Sequence, residues 1–303
     1  EKSVEGVAKF IMSPACKNVV VLTGAGMSCG AGIPDFRSPG GMYATLRPEL
    51  LTATPKQRSL MAADPTYVVE KSMFMANPLP YHEVRRPFII GTYEQKWKAT
   101  IGHRFIELLH KAGKLRRLFT QNIDGLDFQC DTIPRDLICP VHGSIGRAAC
   151  ENCGTEMLMD DYVPKVKECI KDIYGIDPTA PAESTPIPCP HCSKTAVKPA
   201  TVLFGGSMPK DFFQYKQADL PYADLVLVAG TSLVVSPANS LAFDAPPGAV
   251  RVVVNRDPVP SFGERGGDVF LQGDIDAIFL DLAAHLGWLE DLAAFADRLP
   301  PDS

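Results

Sequence analysis

Residues 19–32 read Val-Val-Val-Leu-Thr-Gly-Ala-Gly-Met-Ser-Cys-Gly-Ala-Gly, so a short apolar run passes directly into a glycine-rich segment. A run such as Val19–Leu22 is typical of a strand that is buried on both faces of a parallel sheet. Glycines directly after such a strand let backbone N–H groups approach a phosphate. The stretch therefore predicts the first strand of an α/β fold and a candidate nucleotide-binding turn, with an ordinary tight turn as the alternative.

The glycine pattern departs from that of standard dinucleotide-binding dehydrogenases. The third glycine of their fingerprint would stand where Cys29 is found, and Gly30 comes one place late. The acidic residue that binds the ribose, expected about 20 positions further on, does not follow a second strand. Hydride transfer by a standard dehydrogenase is therefore disfavoured, while nucleotide binding remains open.

Similar apolar runs recur along the chain and alternate with helical periodicity. Further buried strands are predicted at Leu118–Thr120, Leu225–Ala229, Val250–Val254 and Val269–Leu271. Apolar positions on one helical face predict helices over His103–Lys114 and Ile275–Trp288, and a last amphipathic helix over Leu289–Leu299. This alternation predicts an α/β fold with a Rossmann-like parallel sheet and helices on both faces.

Two segments interrupt the alternation. Residues 41–102 lack a strand-like run and are predicted to form a helical insertion. Residues 146–199 contain two Cys-x-x-Cys pairs and a proline-rich run, which predicts a structural zinc module. The fold class is therefore α/β with a smaller zinc-ribbon and helical domain, and the Rossmann-like domain is discontinuous over residues 1–40, 103–145 and 200–303.

The cysteine pairs are Cys150/Cys153 and Cys189/Cys192. In a chain of this size they predict metal binding rather than a disulfide framework. Four thiolates complete a tetrahedral zinc site without an open position, so the role of the metal is expected to be structural. Cys139 and His142 also have ligand spacing, which makes six candidates for four positions. The quartet alone satisfies zinc and leaves His142 for acid–base chemistry or for a structural role.

The charge balance excludes several classes of protein. The 303 residues include 30 basic and 35 acidic ones, for a net charge of −5, and contain no run of five or six lysines and arginines. A direct nucleic-acid partner is therefore not expected. The longest strongly apolar stretches, such as Leu225–Val235, are far shorter than the ~20 residues that cross a membrane. We expect an intracellular location, cytoplasmic in the first instance with nucleus and mitochondrion as alternatives, because no secretory signal is visible and the cysteines are typical of a reducing compartment.

Residues 24–38, GAGMSCGAGIPDFRS, resemble the signature of the sirtuins, the silent-information-regulator family of NAD-dependent protein deacylases. The similarity continues in family order, with a pattern most similar to the eukaryotic class I deacetylase branch. Its further matches are Thr120–Asp124, His142–Gly143, the two cysteine pairs, Gly230–Val235, Val254–Arg256 and Gly273–Ile275. The resemblance implies NAD as co-substrate and structural zinc.

The resemblance also implies the reaction and its partners. Acetyl groups, and by extension long-chain acyl groups, would be removed from protein lysines, with nicotinamide and O-acyl-ADP-ribose as products. The implied partners are acylated lysine proteins or peptides, for example histones or tubulin, without nucleic acid or membrane. Mono-ADP-ribosylation of proteins and NAD hydrolysis remain alternatives, because the first bond broken is the same. A non-enzymatic zinc-ribbon interaction module is disfavoured, since the nucleotide-loop motifs are intact.

The family likeness assigns roles to individual residues. His142 becomes the general base and Asn122 a second catalytic residue, while Asp124 and Ile33 hold the nicotinamide carboxamide and Phe36 covers the reacting ribose carbon. The residues expected to bind NAD are Gly24, Ala25, Gly26, Ser28, Ile33, Asp35, Phe36, Arg37, Gln121, Asn122, Asp124, Gly230, Thr231, Ser232, Asn255, Arg256, Asp274 and Ile275.

Substrate recognition in the family is by strand addition. The peptide would lie between Val202, Phe204, Gly205 and Gly206 on one side and Val234 and Val235 on the other. Gly206 stands where the family commonly has an acidic residue.

The helical insertion bears on the choice of acyl group. Its apolar residues Met61, Met73, Phe74 and Met75 favour neutral acyl groups. A desuccinylating branch of the family uses Tyr-x-x-Arg, whereas Tyr81 and Arg85 are one residue further apart here. Positions four apart still share a helix face, so this pair remains the candidate for an acidic acyl group.

Overall fold

The computed structural model describes residues 2–34, 40–260 and 262–301. The α-helices are α1 (Val4–Met12), α2 (Pro55–Ala63), α3 (Lys71–Ala76), α4 (Leu79–Tyr93), α5 (Ile101–Lys111), α6 (Met159–Cys169), α7 (Lys210–Asp219), α8 (Ser240–Phe243), α9 (Ile275–Leu286) and α10 (Leu289–Ala293). The strands are β1 (Val19–Thr23), β2 (Leu115–Thr120), β3 (Ile138–Pro140), β4 (Gly143–Cys150), β5 (Glu156–Met157), β6 (Val197–Thr201), β7 (Leu225–Ala229), β8 (Val250–Asn255) and β9 (Asp268–Gln272). Short 3₁₀ segments include Ala25–Ala31 and Leu126–Gln129.

A six-stranded parallel sheet forms the larger part of the molecule, with the strand order β3-β2-β1-β7-β8-β9. The apolar runs that predicted β1, β2, β7, β8 and β9 are confirmed. The edge strand β3 was not predicted, because three residues that end in Pro140 give no recognisable alternation. The parallel arrangement brings the carboxyl ends of all six strands to one edge of the sheet.

Helices cover both faces of this sheet, as predicted. Because successive side chains of a strand point to opposite faces, Val19 and Val21 pack on one side and Val20 and Leu22 on the other. The first side is covered by α1, α5, α9 and α10 and the second by α7 and α8. The sheet is thus buried between two apolar layers.

Three predicted helices differ in extent from the structure, and one of them, α9, ends at Leu286 rather than Trp288 because Gly287 is left-handed with a φ of +74°. Helix α5 begins two residues early, because Thr100 and His103 form a capping box, and it ends before Gly113, whose φ of +67° is left-handed. The predicted helix over Leu289–Leu299 is wrong in length, since α10 ends at Ala293. Beyond it Phe295 turns inward, where Arg104 of α5 lies over its ring at 5.1 Å.

A smaller unit consists of the antiparallel sheet β5-β4-β6 and the helices α2, α3, α4 and α6. One hydrophobic cluster joins the helical insertion to the cysteine-containing segment, for example through Phe74 and Tyr81 on one side and Tyr162 and Val197 on the other. Both insertions are therefore packed as one body. The proposed division into segments at residues 40, 102, 145 and 199 remains a prediction.

Three glycines bring the loops after β1 and β7 into backbone contact. The Gly26 N–H donates to the Gly230 carbonyl at 2.9 Å. A Cβ atom on Gly24 would lie 2.7 Å from that carbonyl oxygen, and one on Gly26 would lie 2.7 Å from the Gly230 Cα. Gly230 itself has a φ of +68°, and its Cβ would lie 2.5 Å from the Met27 nitrogen. Since these neighbours are backbone atoms, no side chain fits at any of the three positions.

We expect Gly230→Ala to lower the free energy of unfolding by about 1–3 kcal/mol, because the methyl group collides with backbone and the left-handed conformation strains alanine. Urea unfolding monitored by circular dichroism measures the effect. Gly248→Ala is the matched control, because a Cβ there meets no atom within 4 Å. An unchanged midpoint for Gly230→Ala would contradict the close packing of these loops.

Candidate active site

The residues predicted to bind NAD lie in loops at the carboxyl edge of the parallel sheet. Gly24–Ile33 follow β1, Gln121–Asp124 follow β2, Gly230–Ser232 follow β7, Asn255–Arg256 end β8, and Asp274–Ile275 follow β9. Asp35, Phe36 and Arg37 lie outside the described residues, so their predicted roles stay predictions. The edge matches the place where open α/β sheets bind ligands.

Asn122, Ser28 and Asp124 form a buried hydrogen-bonded group. The Asn122 side-chain amide donates to the Gly24 carbonyl at 3.0 Å and to the Ser28 hydroxyl at 3.2 Å. The Ser28 hydroxyl in turn donates to Asp124 Oδ2 at 2.7 Å. Because both amide hydrogens of Asn122 are directed at the glycine-rich segment, Oδ1 is the remaining atom that can accept a hydrogen bond.

Asp124 is a buried carboxyl group at the end of this chain of bonds. Its Oδ1 accepts the Leu126 N–H at 2.9 Å, and burial raises its pKa above the usual value. A carboxyl group in such surroundings is suited to accept hydrogen bonds from an amide such as the nicotinamide carboxamide. Ile33, the second residue assigned to that group, is nearly buried, and its N–H donates to the Ser28 carbonyl at 3.3 Å.

His142 lies between β3 and β4 and is oriented by the main chain. Its Nδ1 is 3.0 Å from the carbonyl oxygen of Gln121. A carbonyl oxygen only accepts, so Nδ1 carries the proton and Nε2 of the neutral ring is free to act as a base. Burial lowers the pKa of His142, although the Gln121 carbonyl opposes this shift. The geometry therefore favours the acid–base interpretation over the structural one.

The loop after β7 is held by side chains from its own turn, from the start of α8 and from the loop after β2. Leu233 has a φ of +57°, which is unusual for a residue with a side chain. Its N–H donates to the Thr231 hydroxyl at 3.3 Å, and its carbonyl accepts the Asn239 amide at 3.0 Å. The Thr231 hydroxyl also lies 3.4 Å from Gln121 Oε1. Strain of this kind is concentrated at functional sites.

The residues predicted to bind NAD after β8 and β9 form a more open group. The Gly273 N–H donates to the Asn255 carbonyl at 3.1 Å, which brings the β8 and β9 loops together. Asp274 caps α9, and its carboxylate is 3.8 Å from the exposed guanidinium of Arg256. Ile275 approaches the glycine-rich turn, because its Cδ1 would lie 2.8 Å from a Cβ on Gly26.

The predicted peptide-binding segment begins directly after β6. The Val202 N–H donates to the His142 carbonyl at 2.8 Å, so the segment starts beside the candidate base. Phe204 pairs through its main chain with the helical insertion, donating to the Val69 carbonyl and accepting the Lys71 N–H. The ring of Phe204 and the side chain of Val234 are largely exposed, as expected for residues that border an extended peptide.

Glycine at position 206 has a local explanation. The Gly206 N–H donates to the Leu203 carbonyl at 2.8 Å and closes a turn in which Gly205 has a φ of +79°. A Cβ on Gly206 would lie 2.8 Å from that same carbonyl oxygen. The acidic side chain that is common in the family would therefore require a different turn.

The four cysteines fit a zinc ion. Their Sγ atoms all lie within 4.8 Å of one another, and the pairs Cys150/Cys192 and Cys153/Cys189 are each 3.7 Å apart. A tetrahedron with Zn–S bonds of about 2.3 Å has S···S edges of about 3.8 Å. In the part of the chain that the structure describes, this is the only such cluster, and it includes neither Cys139 nor His142.

The zinc site and the candidate base lie at opposite ends of one strand. Strand β4 begins directly after His142 and ends at Cys150. Because β4 bulges between Ser144 and Ala148, it runs alongside only the 5 residues of β6, so at about 3.3 Å per residue Gly143 and Cys150 are on the order of 13 Å apart. Zinc therefore supports the small sheet and does not reach the reacting atoms.

A buried polar network beneath the site includes residues that the motifs do not indicate. Asp127 and His103 are each only 1% exposed, and Thr120 at the end of β2 is equally buried. Neither His103 nor Asp127 is identified as a functional candidate by the sequence. The available signal was the spacing Asp-Gly-Leu-Asp, which places a second carboxyl group three residues after Asp124 in an apolar stretch.

The sequence model of the Sir2 family matches residues 24–237, more than half of the chain. The chain is 33% identical over 297 residues to the NAD-dependent protein deacetylase hst2 of Schizosaccharomyces pombe, covering 98% of this chain and 80% of that protein. It is 37% identical over 303 residues to the NAD-dependent protein deacetylase hst2-1 of Emericella nidulans, covering 99% and 74%. The NAD-dependent protein deacetylase sirtuin-3 of Mus musculus is 33% identical over 300 residues, covering 98% and 80%.

The protein therefore belongs to the Sir2 family, which confirms the resemblance inferred from its motifs. Across residues 2–34, 40–260 and 262–301, no helix is long and apolar enough to cross a membrane.

We expect about one zinc ion per chain and its loss in Cys150→Ser, because three thiolates hold zinc less tightly than four. Metal analysis measures the zinc content, and urea unfolding should show the small unit destabilised. Cys169→Ser is the matched control, since this half-buried thiol lies outside the quartet. Full zinc content in purified Cys150→Ser, or a zinc-free wild-type protein of normal stability, would contradict the assignment.

Proposed function

We propose that this protein removes acetyl groups from lysine side chains of proteins and consumes NAD in doing so. The observation that carries the proposal is the hydrogen bond from His142 Nδ1 to the Gln121 carbonyl, which leaves Nε2 of a neutral imidazole as a base. Membership in the Sir2 family and the names of the relatives support NAD as co-substrate and acetylated proteins as substrates. Histones and tubulin remain predicted partners.

Different residues of the site would bind different parts of NAD. The glycine-rich turn and the loop after β7 offer a cradle without side chains, suited to the phosphates and ribose of NAD. Asp124 and Ile33 would hold the nicotinamide carboxamide, as the family implies. Asn122 Oδ1 is left to accept a hydrogen bond from a ribose hydroxyl or a water molecule.

When bound, NAD would supply the ribose carbon to which the acyl oxygen of the substrate bonds as the bond to nicotinamide breaks. His142 Nε2 would then accept the proton of a ribose hydroxyl. A neutral imidazole is suited to this place, because a positive charge would repel the electron-poor ribose carbon. Protonation of His142 therefore impairs the reaction in two ways, by blocking the base and by adding charge.

We expect kcat/KM to fall with decreasing pH, with a midpoint below the 6.5 of an ordinary imidazole, because burial lowers the pKa of His142. His142→Ala should lose at least ~100-fold in rate, the lower end of what general-base catalysis supplies, with an intact fold. Initial rates on an acetyl-lysine peptide from about pH 5 to about pH 9 measure both effects.

His285→Ala serves as the control for that experiment. This histidine is exposed on α9, where its Nδ1 lies 2.9 Å from the Asp281 carbonyl, and the variant should keep the wild-type rate and pH profile. Near-normal turnover of His142→Ala would return His142 to a structural role.

Product analysis distinguishes deacetylation from the alternatives that share the first step. Mass spectrometry of the peptide and of the small molecules should show loss of acetyl together with an equal amount of nicotinamide and O-acetyl-ADP-ribose. A gain of ADP-ribose on a protein would indicate transferase activity instead. Release of nicotinamide without any change in the peptide would indicate NAD hydrolysis.

The acyl preference that we propose is for neutral groups. Tyr81 and Arg85 are one turn apart on α4 and both buried, and the Tyr81 hydroxyl lies 3.2 Å from the Thr201 hydroxyl. Burial lowers the pKa of Arg85, whose neighbours include Tyr43, Tyr81 and Tyr174. Tyr81 is thus already engaged within the apolar cluster that the insertion shares with the zinc segment.

We expect kcat/KM for acetyl- and myristoyl-lysine to exceed that for succinyl-lysine in the same peptide by at least ~10-fold, since a buried carboxylate costs several kcal/mol without a dedicated partner. Parallel kinetics on the three peptides test this preference. A higher value for succinyl-lysine that disappears in Arg85→Met would show that the Tyr81/Arg85 pair recognises an acidic acyl group.

A further inference from the structure

The peptide bond between Gln121 and Asn122 makes a hydrogen bond at each end. Its carbonyl oxygen accepts the His142 Nδ1–H at 3.0 Å. Its N–H, which belongs to Asn122, donates to the Thr120 hydroxyl at 3.2 Å. A peptide unit is planar and rigid, so a group that holds the N–H also fixes the direction of the carbonyl. The orientation of His142 therefore depends on Thr120.

The Asp127 carboxyl group is buried beside the Thr120 hydroxyl. Burial raises the pKa of Asp127, and the neighbouring Thr120 hydroxyl opposes this shift. A hydroxyl group has one hydrogen to donate and lone pairs that accept, and the lone pairs of Thr120 take the Asn122 N–H. Thr120 and Asp127 are each 1% exposed, so water does not compete for these bonds.

Burying an ionisable group such as Asp127 costs free energy, which argues that this residue has a function. Its Oδ1 has no hydrogen-bond partner in the described part of the chain and faces His103 Nε2 at 4.0 Å, which has none either. His103 Nδ1 accepts the Thr100 N–H at 3.2 Å, so the proton of the neutral ring is on Nε2 and points toward Asp127. The other titratable groups around this pair are Asp124, Asp276, Arg104 and Cys130. Burial raises the pKa of Asp127 to about 6.

We propose that Thr120 and Asp127 are positioning residues for the general base, acting through the Gln121–Asn122 peptide plane on His142. In this arrangement Asp127 corresponds to the carboxylate that orients the histidine of a catalytic triad. Here the Thr120 hydroxyl and the Gln121–Asn122 peptide bond lie between the carboxylate and the imidazole. Because the bond that the Asn122 N–H donates to Thr120 strengthens the opposite carbonyl as an acceptor, it also supports the Nδ1–H form of His142. This inference rests on the role proposed for His142 above.

Thr120→Val is the decisive variant, because valine keeps the shape of threonine and its preference for a strand but lacks the hydroxyl. We expect kcat to fall by ~10-fold, the equivalent of one buried hydrogen bond, while KM for the acetyl-peptide stays unchanged. The acid midpoint of the pH profile should move lower, because the Gln121 carbonyl raises the pKa of His142 and would be held less firmly. Thr120→Ser keeps a hydroxyl and should recover most of the loss.

Thr23→Val is a closely matched control. Thr23 pairs with Thr120 in the register of β1 and β2 and is 0% exposed, but its hydroxyl has no hydrogen-bond partner among the described residues. This variant should keep the wild-type kcat and pH midpoint. Asp127→Asn retains an oxygen that can accept from Thr120, so its loss should be smaller than that of Thr120→Val.

The outcomes separate the positioning role from a structural one. Unchanged kcat and pH midpoint in Thr120→Val, or the same changes in Thr23→Val, would overturn the proposal. Nitrogen-15 NMR of His142 in Thr120→Val provides a readout without turnover, and the expected result is a smaller fraction of the Nδ1–H form. An unchanged fraction would also overturn the proposal, whereas a wild-type protein without deacetylase activity would reject the proposed function alone.

Discussion

The backbone contact between the loops after β1 and β7 is the constraint on which the site depends. The Gly26 N–H meets the Gly230 carbonyl at a distance that leaves no room for a Cβ on Gly24, Gly26 or Gly230. This contact exposes an uncovered stretch of main chain at the carboxyl edge of the sheet, where a phosphate can approach. The Asn122 side chain donates to the Gly24 carbonyl of the same turn. The turn that is suited to bind the nucleotide therefore also positions a candidate catalytic residue.

The smaller unit contributes to the site through a single strand and a single segment. His142 directly precedes strand β4, and the zinc ligand Cys150 ends it. Strand β6 leads into the segment whose Val202 N–H donates to the His142 carbonyl. The hydrophobic cluster that joins the insertion to the cysteine segment holds both strands in place. A metal that takes no part in the chemistry can therefore still be required for the base and the peptide to meet.

Much of the fold could be predicted from the sequence, because it depends on local patterns. Apolar runs such as Leu225–Ala229 identify buried strands, and two Cys-x-x-Cys pairs define a closed set of ligands. The spacing of Asp127 from Asp124 could indicate a second carboxyl group, but the short strand β3 and the hydrogen bond from the Asn122 N–H to Thr120 could not be predicted, since both depend on how the chain folds around β2. The tautomer of His142 belongs to the same category, because it is decided by a carbonyl group 21 positions away.

The protonation of the His142 ring is the most direct measure of this account. Nitrogen-15 NMR of the wild-type protein reports which ring nitrogen of His142 carries the proton. It also reports the pH at which the ring binds a second proton. The His142 signals are assigned by comparison with a variant in which His142 is substituted. We expect a proton on Nδ1 at neutral pH and a midpoint below 6.5, because burial disfavours the charged ring. A proton on Nε2, or a midpoint above 6.5, would contradict a neutral base held by the Gln121 carbonyl.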